Sequence, residues 1–241
     1  MADHPTTQRG TLYLIPNTLG KTPENNTIPH YVLDVIRQME VLIVENIQTA
    51  VRYLQWVGDT IPEYKINFLL LNKNTPPDEI ASFLRPLKKG RDAGILSEAG
   101  CPVVADPGSE LIRMAHSQGI RVSPLVGPSS ILLALMGSGF NGQQFTFHGY
   151  LPIDANKRQS AIRTLEKKAK GGQTQVFMEA PHRNNEMLAD IINLCKSTTR
   201  CCTATNLTLP DERIISKPIA QWKQDSRPDL HKKPTIFLLA T

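Results

Sequence analysis

The stretch Ile95–Ile112 reads ILSEAGCPVVADPGSELI, a short apolar run leading into a helical pattern by way of Ser97, Glu98, Cys101 and Asp106. These residue types cover three chemistries. A thiol becomes a nucleophile when a base lowers its pKa, a carboxylate moves protons, and a backbone shaped by Gly and Pro offers its peptide groups to a ligand. The motif holds no histidine and Cys101 directly precedes Pro102, which argues against a nucleophile. Asp106 precedes Pro107 and Gly108 at a predicted helix start, where an N-cap accounts for it. The segment reads as a cradle shaped by Gly100 and Pro102, and Glu98 alone keeps a claim on side-chain chemistry.

Three loops of this kind follow predicted strands: PNTLGK (Pro16–Lys21), SEAGCPVVADPG (Ser97–Gly108) and VGPSS (Val126–Ser130). Glycine allows close backbone approach, and proline fixes φ and removes a donor. A ligand at such loops meets mainly N–H and C=O groups, which suits a neutral-to-polar small molecule such as a nucleoside with an amino-acid tail. Motifs for other cofactors are missing. There is no G-x-x-x-x-G-K-[ST], no G-x-G-x-x-G opening a helix, no H-E-x-x-H, no G-x-S-x-G and no clustered His/Cys pattern, so no metal is expected.

The elements that position these loops alternate. TLYLIP (Thr11–Pro16), VLIVE (Val41–Glu45), INFLLL, AGILS and IRVSPLV read as strands. Between them, HYVLDVIRQME, NIQTAVRYLQWVG, Pro77–Leu87 (with Thr75 as cap) and PGSELIRMAHSQG carry helical periodicity. This predicts a mostly parallel sheet with its loops gathered at one edge. After Val126 the pattern restarts with the helix SSILLALMGSG, the strand FTFHG, the basic helix Asn156–Lys170, the strand TQVFMEA and a helix opened by Pro181. The strands CCTATN, ERIIS and TIFLLA follow without long helices between them, so the second sheet is expected to be mixed. The expected architecture is α/β, with two α/β domains at 1–125 and 126–241.

Composition bounds the function. The chain has 241 residues, 40% hydrophobic and 20% charged, an ordinary balance for a folded protein. Its apolar runs are too short to span a bilayer and the N-terminus lacks a signal-peptide pattern, so no membrane partner and a cytoplasmic location are expected. Cys101, Cys195, Cys201 and Cys202 fit structural thiols, the adjacent pair lying on opposite faces of one strand. Net charge is +5, and Lys157, Arg158, Arg163, Lys167, Lys168 and Lys170 crowd one helix with only Glu166 opposing them. A second basic group is Arg85, Lys88, Lys89 and Arg91. Both suit a solvated face or an RNA-phosphate contact.

Several segments together resemble a known family. GTLYLIPNTLG, ILSEAGCPVVADPGSELIR, GIRVSPLVGPSSILLALMGSGF and FHGYLP are similar to successive motifs of the tetrapyrrole methylase superfamily, closest to its 16S rRNA ribose 2′-O-methyltransferase branch. EAGCPVVADPG stands where that branch has D-A-G-x-P-x-x-x-D-P-G, PLVGP where it has P-L-P-G-P, and VFMEAPHR where it has F-Y-E-x-x-H-R. The resemblance covers nearly the whole chain in its short form, without the C-terminal extension of many relatives. It implies a homodimeric methyltransferase binding S-adenosyl-L-methionine in a cleft between two domains, with RNA as partner. By motif position, Pro16, Ser97, Ala99, Gly100, Pro102, Pro128, Ser129 and Ser130 hold the cofactor, joined by Met178, Ala204 and Thr205.

The chain departs from that pattern. ENIQ (Glu45–Gln48) replaces E-D-T-R, and in NLTLPDE, set against E-L-T-K-x-x-E, Asn206 replaces the glutamate and Leu209 the lysine, while Glu212 fits. Glu98 replaces the aspartate of D-A-G. A ribose hydroxyl acceptor needs a proton-withdrawing group. Glu45 and Glu179 are first candidates, the latter beside His182 and Arg183, with Glu98 third. Each also suits a loop or helix-terminal salt bridge. His148 reads as a satisfied strand-end histidine, and Trp56, Trp222 and Tyr150 as base-stacking or core aromatics. Besides transfer to rRNA, two readings stay open: methyl transfer to a tetrapyrrole or other small molecule, and a catalytically inactive cofactor- or RNA-binding module.

Overall fold

The computed structural model describes residues 9–22 and 25–241. The chain divides into two compact units, Met1–Pro128 and Ser129–Thr241.

The first unit holds strands β1 (Thr11–Ile15), β2 (Val41–Val44), β3 (Asn67–Leu70), β4 (Ala93–Leu96) and β5 (Arg121–Pro124). They form one sheet in the order β3-β2-β4-β1-β5, with every pairing parallel. Helices α1 (His30–Arg37), α2 (Ile47–Val57), α3 (Pro77–Ser82), α4 (Arg85–Lys88) and α5 (Ser109–Ser117) make the crossovers. Covered on both faces, β2 is buried at every position and reads VLIV. Leu42 and Val44 face the core under α1 and α2, while Val41 and Ile43 face the core that holds Leu84, Leu87 and Leu111.

Two expectations change here. The single helix at Pro77–Leu87 is two short ones, because Pro86 has no N–H to return to the Ser82 carbonyl. Thr75 is not its cap: Pro76 holds that position, and the Thr75 hydroxyl accepts the Asn72 N–H at 2.9 Å.

The second unit runs α6 (Ser130–Ser138), β6 (Phe145–Tyr150), α7 (Ala155–Ala169), β7 (Thr174–Met178), α8 (Asn184–Leu194), β8 (Arg200–Thr205), β9 (Arg213–Pro218), α9 (Ile219–Gln224) and β10 (Thr235–Ala240). Its sheet is mixed, in the order β6-β7-β10-β8-β9, with β6 parallel to β7 and the remaining pairs antiparallel. Ile162, Leu165, Ile191 and Trp222 from α7, α8 and α9 pack with Phe177, Phe237 and Cys201 in one core. Each of the Ile, Leu and Phe side chains contributes about 1.5–3 kcal/mol by leaving water. Cys202, the next residue along the strand, turns the other way, toward Ser216.

Candidate functional site

In the first sheet, the connection after β1 runs toward β2 and the connection after β4 runs toward β5, so these adjacent strands send their loops in opposite directions. The crevice outside such a switch point is where open α/β sheets place ligands. Here the loops are tied together. Asn17 and Gly100 exchange backbone hydrogen bonds at 2.9 and 3.1 Å, and the Asn17 amide donates to the Ser97 and Glu98 carbonyls at 3.0 and 3.2 Å. Gly100 takes φ +68°, a conformation side chains rarely adopt. The loop after β5 joins them: a Cβ on Gly127 would lie 2.3 Å from Pro16 Cβ, and Cys101 Sγ lies 3.4 Å from the Pro128 carbonyl. Five residues of the expected cradle thus converge: Pro16, Ser97, Gly100, Pro102 and Pro128 are all buried, while Ala99 is exposed beside them.

Ser97 explains Asp106. The Ser97 hydroxyl lies 2.9 Å from the Asp106 carboxylate and accepts the Ala99 N–H at 3.2 Å. Helix α5 starts after Gly108, which takes the N-cap position without a side-chain bond, so the N-cap expected of Asp106 does not form. Between them the backbone is left-handed at Val103 and Ala105, a costly conformation for a β-branched residue and one found where surrounding structure enforces a loop shape.

Carboxylates gather at the same edge. Burial pushes Glu45, Glu98 and Asp106 above their ordinary values, and the charge of Asp106 raises the other two further. Glu45 is also raised by Glu98. A bond to Thr49 and the nearby Arg52 partly offset the rise at Glu98. Both come from α2, whose N-cap is Asn46, accepting the Thr49 N–H at 3.1 Å. The asparagine in ENIQ therefore does the capping an aspartate would do. One turn beyond Gln48, Arg52 puts a cation on the same helix face. Thr49, Arg52, Tyr53 and Trp56 line a groove of about 580 Å³ together with Asn17–Thr22, Glu98 and Ala99.

The remaining candidates lie in the second unit. Glu179 is fully buried, paired with Arg183, and accepts the Ala180 N–H at 2.6 Å; its other oxygen has no partner. Met178 ends β7, and the buried Ala204 and Thr205 end β8, where the Thr205 and Thr235 hydroxyls bond at 3.2 Å. Ser129 caps α6 by accepting the Leu132 N–H, and Ser130 is its first residue. Glu212 closes a turn by accepting the Thr208 N–H at 2.7 Å, and Asn206 sits there at φ 50°, which asparagine tolerates. His148 is satisfied by Gln175 at 2.8 Å, and the Trp222 indole donates to the Cys201 carbonyl.

Residues 27–222 match the family described as tetrapyrrole (corrin/porphyrin) methylases. The chain belongs to this family.

Curated relatives include the ribosomal RNA small subunit methyltransferase I of Pseudomonas aeruginosa, 30% identical over 88% of this chain and 71% of that protein. The protein of the same name from Vibrio cholerae serotype O1 is 27% identical over 99% of this chain and 80% of its own. Among solved structures, a cobalt precorrin-4 methyltransferase of cobalamin biosynthesis shares the fold at TM-score 0.61 and 15% identity, covering 99% of this chain and 98% of that one. This tetrapyrrole methylase is accordingly a methyltransferase built on two α/β units.

Its basic helix differs from expectation in two residues. Arg158 is 2% exposed and bonds Glu186 and Asp190, so it is a core clamp and not part of a cationic face. Glu166 also turns inward, accepting the Lys196 N–H and bonding the Thr199 hydroxyl, both at 2.6 Å. Lys157, Arg163, Lys167, Lys168 and Lys170 stay exposed, with no ion pair among the described residues. Asn17, Thr49, Arg52 and Tyr53, whose hydroxyl donates to the Pro16 carbonyl at 2.9 Å, carry the site's framework without having stood out as candidates. For the three helical residues the signal was present: positions 49, 52 and 53 share one face with Trp56.

Proposed function

We propose that this methyltransferase moves the methyl group of S-adenosyl-L-methionine to RNA, at a ribose 2′-hydroxyl of small-subunit rRNA. The observation that carries the RNA reading is the distribution of charge. The second unit has 15 Lys and Arg against 9 Asp and Glu, the first has 12 against 13, and α7 with its C-cap Lys170 presents five exposed cations without an ion pair among the described residues. Phosphate backbones are bound by such surfaces. The names of the relatives agree with it.

The residues present fit the cofactor. The tied loops after β1, β4 and β5 offer peptide groups on a backbone shaped by Gly100, Gly127 and Pro128, which suits a nucleoside bearing an amino-acid tail. We assign Pro16, Ser97, Ala99, Gly100, Pro102, Pro128, Ser129 and Ser130 to it, with Met178, Ala204 and Thr205. When bound, the cofactor supplies an electrophilic methyl on a sulfonium. The chain's own task is to align the acceptor and withdraw its proton. The raised proton affinities of Glu45 and Glu98 beside Asp106 support them for this role, whereas Glu179 is engaged by Arg183. Exposed Leu132 and Met136 on α6 support a second copy of the chain as partner, which light scattering checks.

The test incubates the protein with methyl-labelled cofactor and small ribosomal subunits from cells lacking the gene, followed by nucleoside mass spectrometry. A 2′-O-methylated nucleoside is expected. Label on a tetrapyrrole and none on RNA would favour the small-molecule reading, and cofactor binding without turnover the inactive one.

A further inference from the structure

Helix α2 sets Thr49, Arg52, Tyr53 and Trp56 along one face, and these residues line a groove together with Glu98 and the Asn17–Thr22 segment that bears Lys21. The wall is preformed. Tyr53 and Trp56 stack at 5.7 Å between centroids, the Trp56 indole donates to the Thr22 carbonyl at 2.9 Å, and Tyr53 is fixed on Pro16. Arg52 is exposed and anchored by one bond to the Thr49 hydroxyl at 3.2 Å, leaving most of its donors unused. The groove adjoins Ala99, part of the segment assigned above to the cofactor.

We propose that this groove is the acceptor pocket and that it takes a phosphorylated ribonucleoside, with Arg52 and Lys21 on phosphate, Trp56 beside the base, and Glu98 facing the ribose hydroxyl. The proposal rests on the RNA reading above. It follows from the mixture of groups lining one concavity. Cations match phosphate, an indole offers a stacking surface, and a carboxylate in the same lining accepts from a sugar hydroxyl. In the reaction, the ribose oxygen forms the new C–O bond as the C–S bond breaks, its electron pair staying on sulfur to give a neutral thioether. The hydroxyl proton passes to the Glu98 carboxylate. Burial and Asp106 raise the proton affinity of that carboxylate, in the direction a base for this step needs.

Two measurements test it on the whole protein. Titration with each of the four ribonucleoside 5′-monophosphates is expected to quench Trp56 fluorescence, the buried Trp222 serving as an internal constant, and Arg52→Gln to weaken this binding about tenfold. In RNA methylation, Glu98→Gln is expected to lower kcat about a hundredfold, with the cofactor Kd from calorimetry unchanged. Arg52→Gln is expected to raise KM for RNA and leave kcat near wild type. Circular dichroism confirms that these exposed substitutions leave the fold intact. Wild-type-like turnover by both variants, or quenching that is absent or insensitive to Arg52, overturns the pocket while wild-type RNA methylation leaves the RNA reading standing. If the wild-type protein methylates no RNA, both fall together.

Discussion

The parallel-sheet unit and the mixed-sheet unit solve different problems. In the first, hydrogen bonds reach across about eighty residues of sequence to fix loop shape: Asn17 to Ser97 and Glu98, and Thr11 to Asp92. In the second, the long-range polar contacts tie helices down, as Arg158 does to α8 and Glu166 to the residues after it. The first unit is near neutral and collects carboxylates at a sheet edge, whereas the second is strongly basic and points the one acid of α7, Glu166, inward. We read this as a separation of duties: shape and proton transfer in one unit, attraction of a polyanion in the other.

The sharpest way to break that comparison is Arg158→Met. If Arg158 is a clamp, the variant loses about 3 kcal/mol of stability in urea unfolding, because mostly buried Asp190 is left without its cation. Salt dependence of RNA binding stays unchanged. If Arg158 belonged to the cationic face, the opposite pattern would appear. A smaller loss is expected in the other unit from Gly127→Ala. Its Cβ would meet Pro16 at 2.3 Å, so the loops after β1 and β5 must part at a cost of about 1–3 kcal/mol. Cofactor affinity, read by calorimetry, falls with it.

Lys167 and Lys168 sharpen the electrostatic half. Replacing both with Ala is expected to raise KM for RNA about tenfold and to reduce the slope of log affinity against log salt by about 2, with kcat unchanged. An unchanged slope would remove α7 from the RNA surface.

Asp106→Asn tests the proton-handling half. Asp106 raises both Glu45 and Glu98, so losing its charge lowers their pKa values. The base is then ionised at lower pH, and the acid limb of the kcat profile moves in that direction. Stability follows the same linkage. A carboxylate raised on folding contributes stability that is present below its unfolded value, near 4.5 for Glu, and lost as pH rises through the folded value. Asp106→Asn reduces that loss, which thermal melts across this range will show. Ser97, Thr49 and Arg52 also face these groups and are unchanged.

How legible this was depends on the range of the interaction. The strands of the first unit announced themselves because VLIV and AGIL are buried on both faces. Arg158 was legible too, since it falls in helical register with Ile162, Leu165 and Ala169, all buried; counting charges without their phase hides it. Asn17 was not. It looks like any turn asparagine, and its partners lie eighty residues away. Asp106 misled because Pro-Gly after an acid imitates a helix start, whereas the chain makes two left-handed residues first and begins α5 beyond Gly108.

The smallest expected effect concerns the thiols, and it separates the units again. Cys101 is half-buried in the first unit, and burial alone raises its pKa. In the second unit Cys195, Cys201 and Cys202 are buried, and burial pushes Cys195 and Cys202 up to about 12. A nucleophilic cysteine would need the reverse shift and a base beside it; Cys101 instead has the Pro128 and Gly127 carbonyls, which accept from a thiol and do nothing for a thiolate. Iodoacetamide should therefore label the native protein only at Cys101, slowly at neutral pH and faster as the solution is made alkaline. The other three should react only in denaturant, as peptide mass spectrometry will resolve. Rapid labelling of Cys101 at neutral pH would mean that the loop holds a thiolate, and the reading of Ile95–Ile112 as a shaped backbone without a reactive sulfur would have to be given up.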